Sequence, residues 1–245
     1  MSVIYYKIIV EKELTFSMDR IIVFLFLFFL VFCRPVFAIP ADADYFPAKH
    51  QFIWGTQFNH IFNRDFNKVE SEAGTTQYFI KTSFGITERF FLDGKIGRGG
   101  VSLRPAGSNK IDFTSGFAGG YGLRYVLYER PDGSIRSLFG FQHISCHPLS
   151  KEINGTKYQI IWDEWQFSWL LLKSWQKKSC FYFGPQYTTT QLKYKVDTFR
   201  RRLKAEDWWG AVFGVNYDLN DKLKFNTEMR LFSEWAVNFG IGYKF

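Results

Sequence analysis

The chain is organised around Trp235-Ala236-Val237-Asn238-Phe239-Gly240-Ile241-Gly242-Tyr243-Lys244-Phe245. Val237, Phe239, Ile241, Tyr243 and Phe245 take every second position, and Ala236, Asn238, Gly240, Gly242 and Lys244 fall between them. Side chains alternate across a strand with a period of two, so one face is oily and the other small or polar. Such a strand suits a wall with lipid outside and a polar interior. It equally suits a half-buried strand of a soluble sheet, so alternation alone leaves both open.

Working outward, the same period recurs along the chain. Strands are predicted at Phe52 to Phe62, Thr76 to Thr87, from Phe90 to about residue 100, Phe113 to Tyr128 and Ile135 to Ser145. Five more follow at Tyr158 to Lys173, Phe181 to Thr190, Trp209 to Tyr217, Leu223 to Leu231 and the closing stretch. That makes ten, with eight or twelve as alternatives, since boundaries read from sequence shift by about two to four residues. Connections alternate between long (63–75, 101–110, 147–156, 191–207) and short (87–89, 131–133, 174–179, 220–221), the one near 233 being short out of turn. Bacterial membrane barrels have even strand numbers, short periplasmic turns and long outer loops. The fold class expected is therefore all-β, an antiparallel up-and-down transmembrane barrel over residues 49–245. A soluble barrel or sandwich would have the same period with its faces reversed. Against it stand the Gly-rich faces of strands four, eight and ten, and aromatics near strand ends such as Trp54, Trp162, Trp208 and Trp235.

Phe239, Ile241, Tyr243 and the terminal Phe245 resemble the C-terminal signal of Gram-negative outer-membrane barrels, a final aromatic preceded by aromatic or aliphatic residues at alternating positions. The resemblance implies an outer-membrane location and recognition by the barrel-assembly machinery, and it implies no activity.

Composition agrees with this. Aromatics make up 20% of the chain, with 29 Phe, 13 Tyr and 8 Trp, as expected where rings cover a lipid face and both interfaces. Mean hydropathy is only −0.15, too polar for a bundle of spanning helices of about 20 apolar residues each. The one continuous apolar run, Ile21 to Cys33, has Arg20 before it and Val36-Phe37-Ala38 after it. It reads as a signal peptide, residues 18–38, cleaved after Ala38. Residues 1–17 then read as an upstream extension of the start site and 39–48 as a periplasmic lead-in. An uncleaved anchor would need a longer run, and bulky Phe32 before Cys33 does not fit a lipoprotein signal. Without residues 1–38 the chain keeps 27 basic and 20 acidic side chains. For an exported protein the matching anion is the phosphate of lipopolysaccharide, and nucleic acid is not expected. Cys146 and Cys180 fall at opposite ends of the expected barrel, beyond the ~7 Å limit for bridging, and are expected to stay unpaired.

Three groups of residues could carry chemistry. Lys81, Asp93, Lys95, Arg124, Arg136, Glu164, Lys224, Glu228 and Arg230 are predicted to point into the lumen. They read either as the lining of a narrow conduit or as a salt-bridged filling, since small barrels can be filled by side chains. The loop holding Lys193, Lys195, Arg200, Arg201, Arg202 and Lys204 could grip lipopolysaccharide phosphates, the arginines through bidentate contacts. Finally, His143 and Ser145 are two apart on one face of a strand near the outer rim, the beginning of a nucleophile and base pair that needs an orienting carboxylate. Asp163 is predicted to lie diagonally across from His143, with Glu152 as a looser partner. This His-x-Ser resembles the motif of outer-membrane lipid A deacylases, although Cys146 stands where that family has Asn after the Ser. The resemblance implies a hydrolase of outer-leaflet lipid. Rim His and Ser residues bonding water or headgroups give the same three letters. A His143 and His147 metal pair lacks an evident third ligand, so no metal and no cofactor is expected.

Overall fold

The computed structural model describes residues 46–245, apart from 67–70, 106, 108, 176 and 177. The extension, the signal peptide and residues 39–45 of the lead-in lie outside the described residues. Strands β1 (Phe52–Phe66), β2 (Ser71–Gly85), β3 (Phe90–Arg104), β4 (Ile111–Glu129) and β5 (Ile135–His147) are followed by short β6 (Lys151–Ile153). Then come β7 (Thr156–Trp175), β8 (Ser179–Val196), short β9 (Phe199–Lys204), β10 (Trp209–Asp218), β11 (Leu223–Leu231) and β12 (Trp235–Lys244). Ten of them pair in sequence order into a ring, closed where β12 lies antiparallel to β1 through Phe58↔Phe239 and Asn59↔Asn238. Closure leaves no unpaired edge, and a wall in lipid requires that because no water is present to satisfy free backbone groups.

Neighbouring residues of adjacent strands show how the faces divide. Tyr78, Phe58 and Phe239 are cross-strand partners and form an outward aromatic row, with ring centroids 5.1 and 6.4 Å apart. One residue along, Gln77, Asn59, Asn238 and Glu228 are partners in the same way, and all four are buried inside. Ile96 and Trp169 are 60% exposed, whereas Arg230 is fully buried. A soluble barrel has these faces the other way round. Here the exterior is apolar and the buried charges point inward, so the chain is a transmembrane β-barrel.

The interior is layered. Toward the loop end, Ile61, Phe66, Leu103, Ile144, Trp162 and Leu192 belong to one apolar cluster. Toward the turn end, Phe91, Val126, Leu138, Leu170, Leu172 and Val212 form another, with Phe46 of the lead-in packed against it. The polar belt lies between these two plugs. Inner glycines make room for it: a Cβ on Gly214 would stand 2.1 Å from the Tyr182 ring, which occupies that space instead.

Several predicted loops are strands. β1 runs four residues past its predicted end and β2 begins five before its predicted start, so most of the 63–75 connection is wall. The connection 147–156 contains β6, which continues the line of β5 along β7. Residues 191–207 hold the end of β8 and its partner β9. β7 and β8 remain paired as far as Tyr158↔Val196, so a ribbon of β6, β7, β8 and β9 stands above the rim. Polar residues leaving the bilayer keep their backbone pairing, and composition alone cannot distinguish that from a loop. At the opposite end the turns are short and capped by side chains: the amides of Arg89 and Phe90 donate to the Thr87 hydroxyl, and those of Lys222 and Leu223 to Asn220 Oδ1. In the β4–β5 turn, hydrogen bonds from the Ser134 hydroxyl and then its amide hold the Asp132 carboxyl below its usual range.

Candidate functional site

The lumen is one candidate. Lys81, Asp93, Lys95, Arg124, Glu164, Glu228 and Arg230 all lie buried inside it. Lys224 does not reach the belt: it is part-exposed at the turn end and pairs with Asp218 at 2.8 Å. Arg136 is also part-exposed, bonded to Glu129 at 2.7 Å with its guanidinium over Phe46. Strand parity places both on the inner face, but they sit too close to the turns to be enclosed.

The buried charges form two networks. In the first, Arg124 donates through Nε and Nη2 to both Asp93 oxygens at 2.7 and 2.8 Å, and the Ser83 hydroxyl donates to the same carboxylate at 2.5 Å. Two residues that sequence reading assigned to loops build the second. Arg64 pairs with Glu234 at 2.5 Å and donates to the backbone oxygens of Thr188 and Asp207. Arg230 reaches the other Glu234 oxygen at 2.9 Å and lies 3.6 Å from Glu164, which accepts from Trp162 Nε1 at 2.9 Å. Trp162 is thus an interior anchor, where sequence suggested an interfacial ring. A relay of side chains runs from Lys95 to the second network: Lys95 donates to Gln142 at 2.8 Å, Gln142 to Gln166, Gln166 to Gln186 at 2.8 Å, and Gln186 accepts from Arg230 at 3.5 Å. Tyr182 donates to Glu228 at 2.8 Å. Among the described residues five cations and four anions are fully buried, a near balance that lets them neutralise one another without bulk water. Beside Asp93, Arg124, Gln142, Gln166 and Ser168 remains a cavity of about 10 Å³, the lower limit for one water.

The outer rim is the second candidate. His143 Nε2 lies 2.7 Å from Asp163 Oδ1, as the sequence led one to expect, while Lys193 takes the other oxygen at 2.5 Å. The His143 ring stacks against Trp165 with centroids 4.3 Å apart. Ser145, however, lies opposite Asp163 and hydrogen-bonds His147 Nε2 at 2.8 Å. The three residues named from sequence therefore come close without forming a serine, histidine, aspartate chain. Ser145 has His147, and the carboxylate orients a different histidine. No carboxylate among the described residues hydrogen-bonds His147.

The third candidate is the basic ribbon. Lys193 and Lys195 are on the same side of β8 as lipid-facing Phe183 and Tyr187. Arg202 and Arg200 stand directly opposite them on β9, and Lys204 opposite Gln191. Arg201 is on the reverse side, its guanidinium 5.1 Å from the Phe199 ring centroid.

No protein-family model matches the chain, and no curated protein matches its sequence. Among solved structures it is similar to an outer-membrane channel of Pseudomonas putida F1, at 9% identity over 85% of this chain and 100% of that one, TM-score 0.45. It is also similar to the translocator domain of the autotransporter NalP from Neisseria meningitidis, at 11% identity over 84% of this chain and 91% of that one, TM-score 0.44. The outer membrane protein OprG from Pseudomonas aeruginosa gives 12% identity, 81% and 97% coverage and a TM-score of 0.40. The assignment of class rests on the chain's own geometry. A closed, even-numbered antiparallel barrel with short turns at one end, an apolar exterior and inward-pointing charges is an outer-membrane β-barrel of the Gram-negative type.

Proposed function

We propose that this barrel is a non-conducting structural platform, holding the β6–β9 ribbon rigidly at the outer surface. The observation that carries the reading is the layered lumen: two apolar plugs enclose a belt of paired charges. An aqueous conduit needs a continuous polar path, and wide channels need about 16 strands. Ten strands with these fillings argue against such a path. Planar-bilayer recording of the refolded protein tests the reading. A silent membrane is expected, and reproducible unit conductance would overturn it.

A second reading has one contact in its favour. Ser145 and His147 at 2.8 Å are a potential nucleophile and base facing outer-leaflet lipid, as a lipid-ester hydrolase would need. The absent carboxylate on His147 weighs against it. Mass spectrometry of lipid A from cells with and without the protein separates the two. An unchanged acyl pattern removes the hydrolase, and a change abolished by Ser145→Ala would establish it in place of the platform.

A further inference from the structure

We infer that the outward face of the β8–β9 ribbon binds the phosphates of lipopolysaccharide in the same leaflet. The inference rests on the membrane orientation adopted above, but not on whether the lumen conducts.

Register is the first argument. Lys195↔Arg200 and Lys193↔Arg202 are directly opposed, with Lys204 one position below. Opposed residues share a face, with Cβ atoms about 5 Å apart, and like charges there repel. Among the described residues, Asp163, bonded to Lys193, is the one carboxylate ion-paired with this set. Lys195, Arg200, Arg202 and Lys204 make no ion pair among the described residues. Five cations are thus held in two facing rows, with one anion beside them on β7. Phosphates lying along the rows would turn repulsion into bridging, and the arginine forks suit bidentate capture. Arg201 cannot take part, because it is on the other side over Phe199.

Height is the second argument. Thr189 is the partner of Trp165, whose ring lies in the aromatic cluster of Tyr121, Phe141 and His143 near the loop end. Four residues further, at ~3.3 Å each and a tilt of ~45°, Lys193 stands ~9 Å above that girdle. That is the outer edge of the headgroup layer, which extends ~5–8 Å beyond the hydrocarbon. The face continues the lipid-facing side of β8, so what it meets at that height is the lipid alongside. Long basic side chains reach such anions while their stems stay on apolar surface.

The test uses the full mature chain refolded in detergent, with native mass spectrometry and bound-phosphorus assay after incubation with lipopolysaccharide. Wild type is compared with a variant carrying Lys193→Gln, Arg200→Gln, Arg202→Gln and Lys204→Gln, and with Arg201→Gln. Heat-modifiable gel migration verifies that each is folded. If the quadruple variant fails to fold, Arg200→Gln with Arg202→Gln replaces it. Wild type and Arg201→Gln are expected to retain lipopolysaccharide, and the ribbon variant to bind at least tenfold more weakly. Enzymatically dephosphorylated lipopolysaccharide should bind wild type as weakly as the variant binds the native lipid. Inorganic phosphate at millimolar concentration should not displace the lipid. Equal binding by the ribbon variant, indifference to dephosphorylation, or displacement by free phosphate would each overturn the inference.

Discussion

Arg124 shows what the interior demands of a single side chain. Its Nε and Nη2 are committed to Asp93, and the guanidinium lies 5.5 Å from the Phe91 ring centroid and 5.7 Å from that of Phe46. Removing one member of such a pair leaves a buried charge, whereas removing both leaves an apolar wall. Arg124→Met is therefore expected to lower the unfolding free energy by ~3–5 kcal/mol, and Asp93→Leu in that background to restore most of it, as read by urea titration in detergent. Gly214 makes the complementary case. Gly214→Ala drives a methyl into the Tyr182 ring and is expected to cost ~1–3 kcal/mol. Most of that loss should vanish in a Tyr182→Leu background, since the ring is the obstruction. The inward charges of the mid-strand positions were legible because a period of two assigns each residue a side. Arg64 and Glu234 were not. Between Ile61 and Arg64 the register shifts, and a bulge of this kind moves the following residues to the other face. Nothing in Phe62-Asn63 announces it. Glu234 lies in a connection whose fold into the lumen depends on Arg64 and Arg230, one of them 170 residues away.

The ten wall strands were visible in sequence, as were the short turns at one end. Strand ends were not, because β7 and β8 continue beyond the bilayer as a polar ribbon. The candidate rim site was partly legible. Spacing brought His143 to Asp163, but it could not show that Ser145 hydrogen-bonds the histidine after it, a matter of side-chain rotation within one strand. The turn elements carry their own prediction. Asn220 Oδ1 accepts the amides of Lys222 and Leu223 at 2.9 and 2.8 Å, a local closure that sets the β10–β11 register. Asn220→Ala is expected to cost ~1 kcal/mol and to slow refolding into vesicles, with the refolded barrel otherwise unchanged by circular dichroism.

For the whole molecule, stability comes from closure and from the filled lumen, while the apolar exterior depends on lipid or detergent to be tolerated. Cys146 in the loop-end plug and Cys180 near the turns remain free thiols, so no cross-link assists among the described residues. The folded barrel is expected to migrate faster than the heated chain on a gel, with or without reductant. The central claim is that the rings look outward and the charges inward, and spin-label accessibility measures it directly. In residues 39–245 carrying Cys146→Ala and Cys180→Ala, single cysteines replacing Ile80, Ile96 or Asn238 are labelled with nitroxide and refolded into lipid vesicles. Labels at Ile80 and Ile96 are expected to collide freely with oxygen dissolved in the hydrocarbon and to be shielded from a water-soluble relaxer, while the label at Asn238 is screened from lipid. Labels at Ile80 and Ile96 that are immobilised and cut off from oxygen, with Asn238 open to the hydrocarbon, would contradict the account.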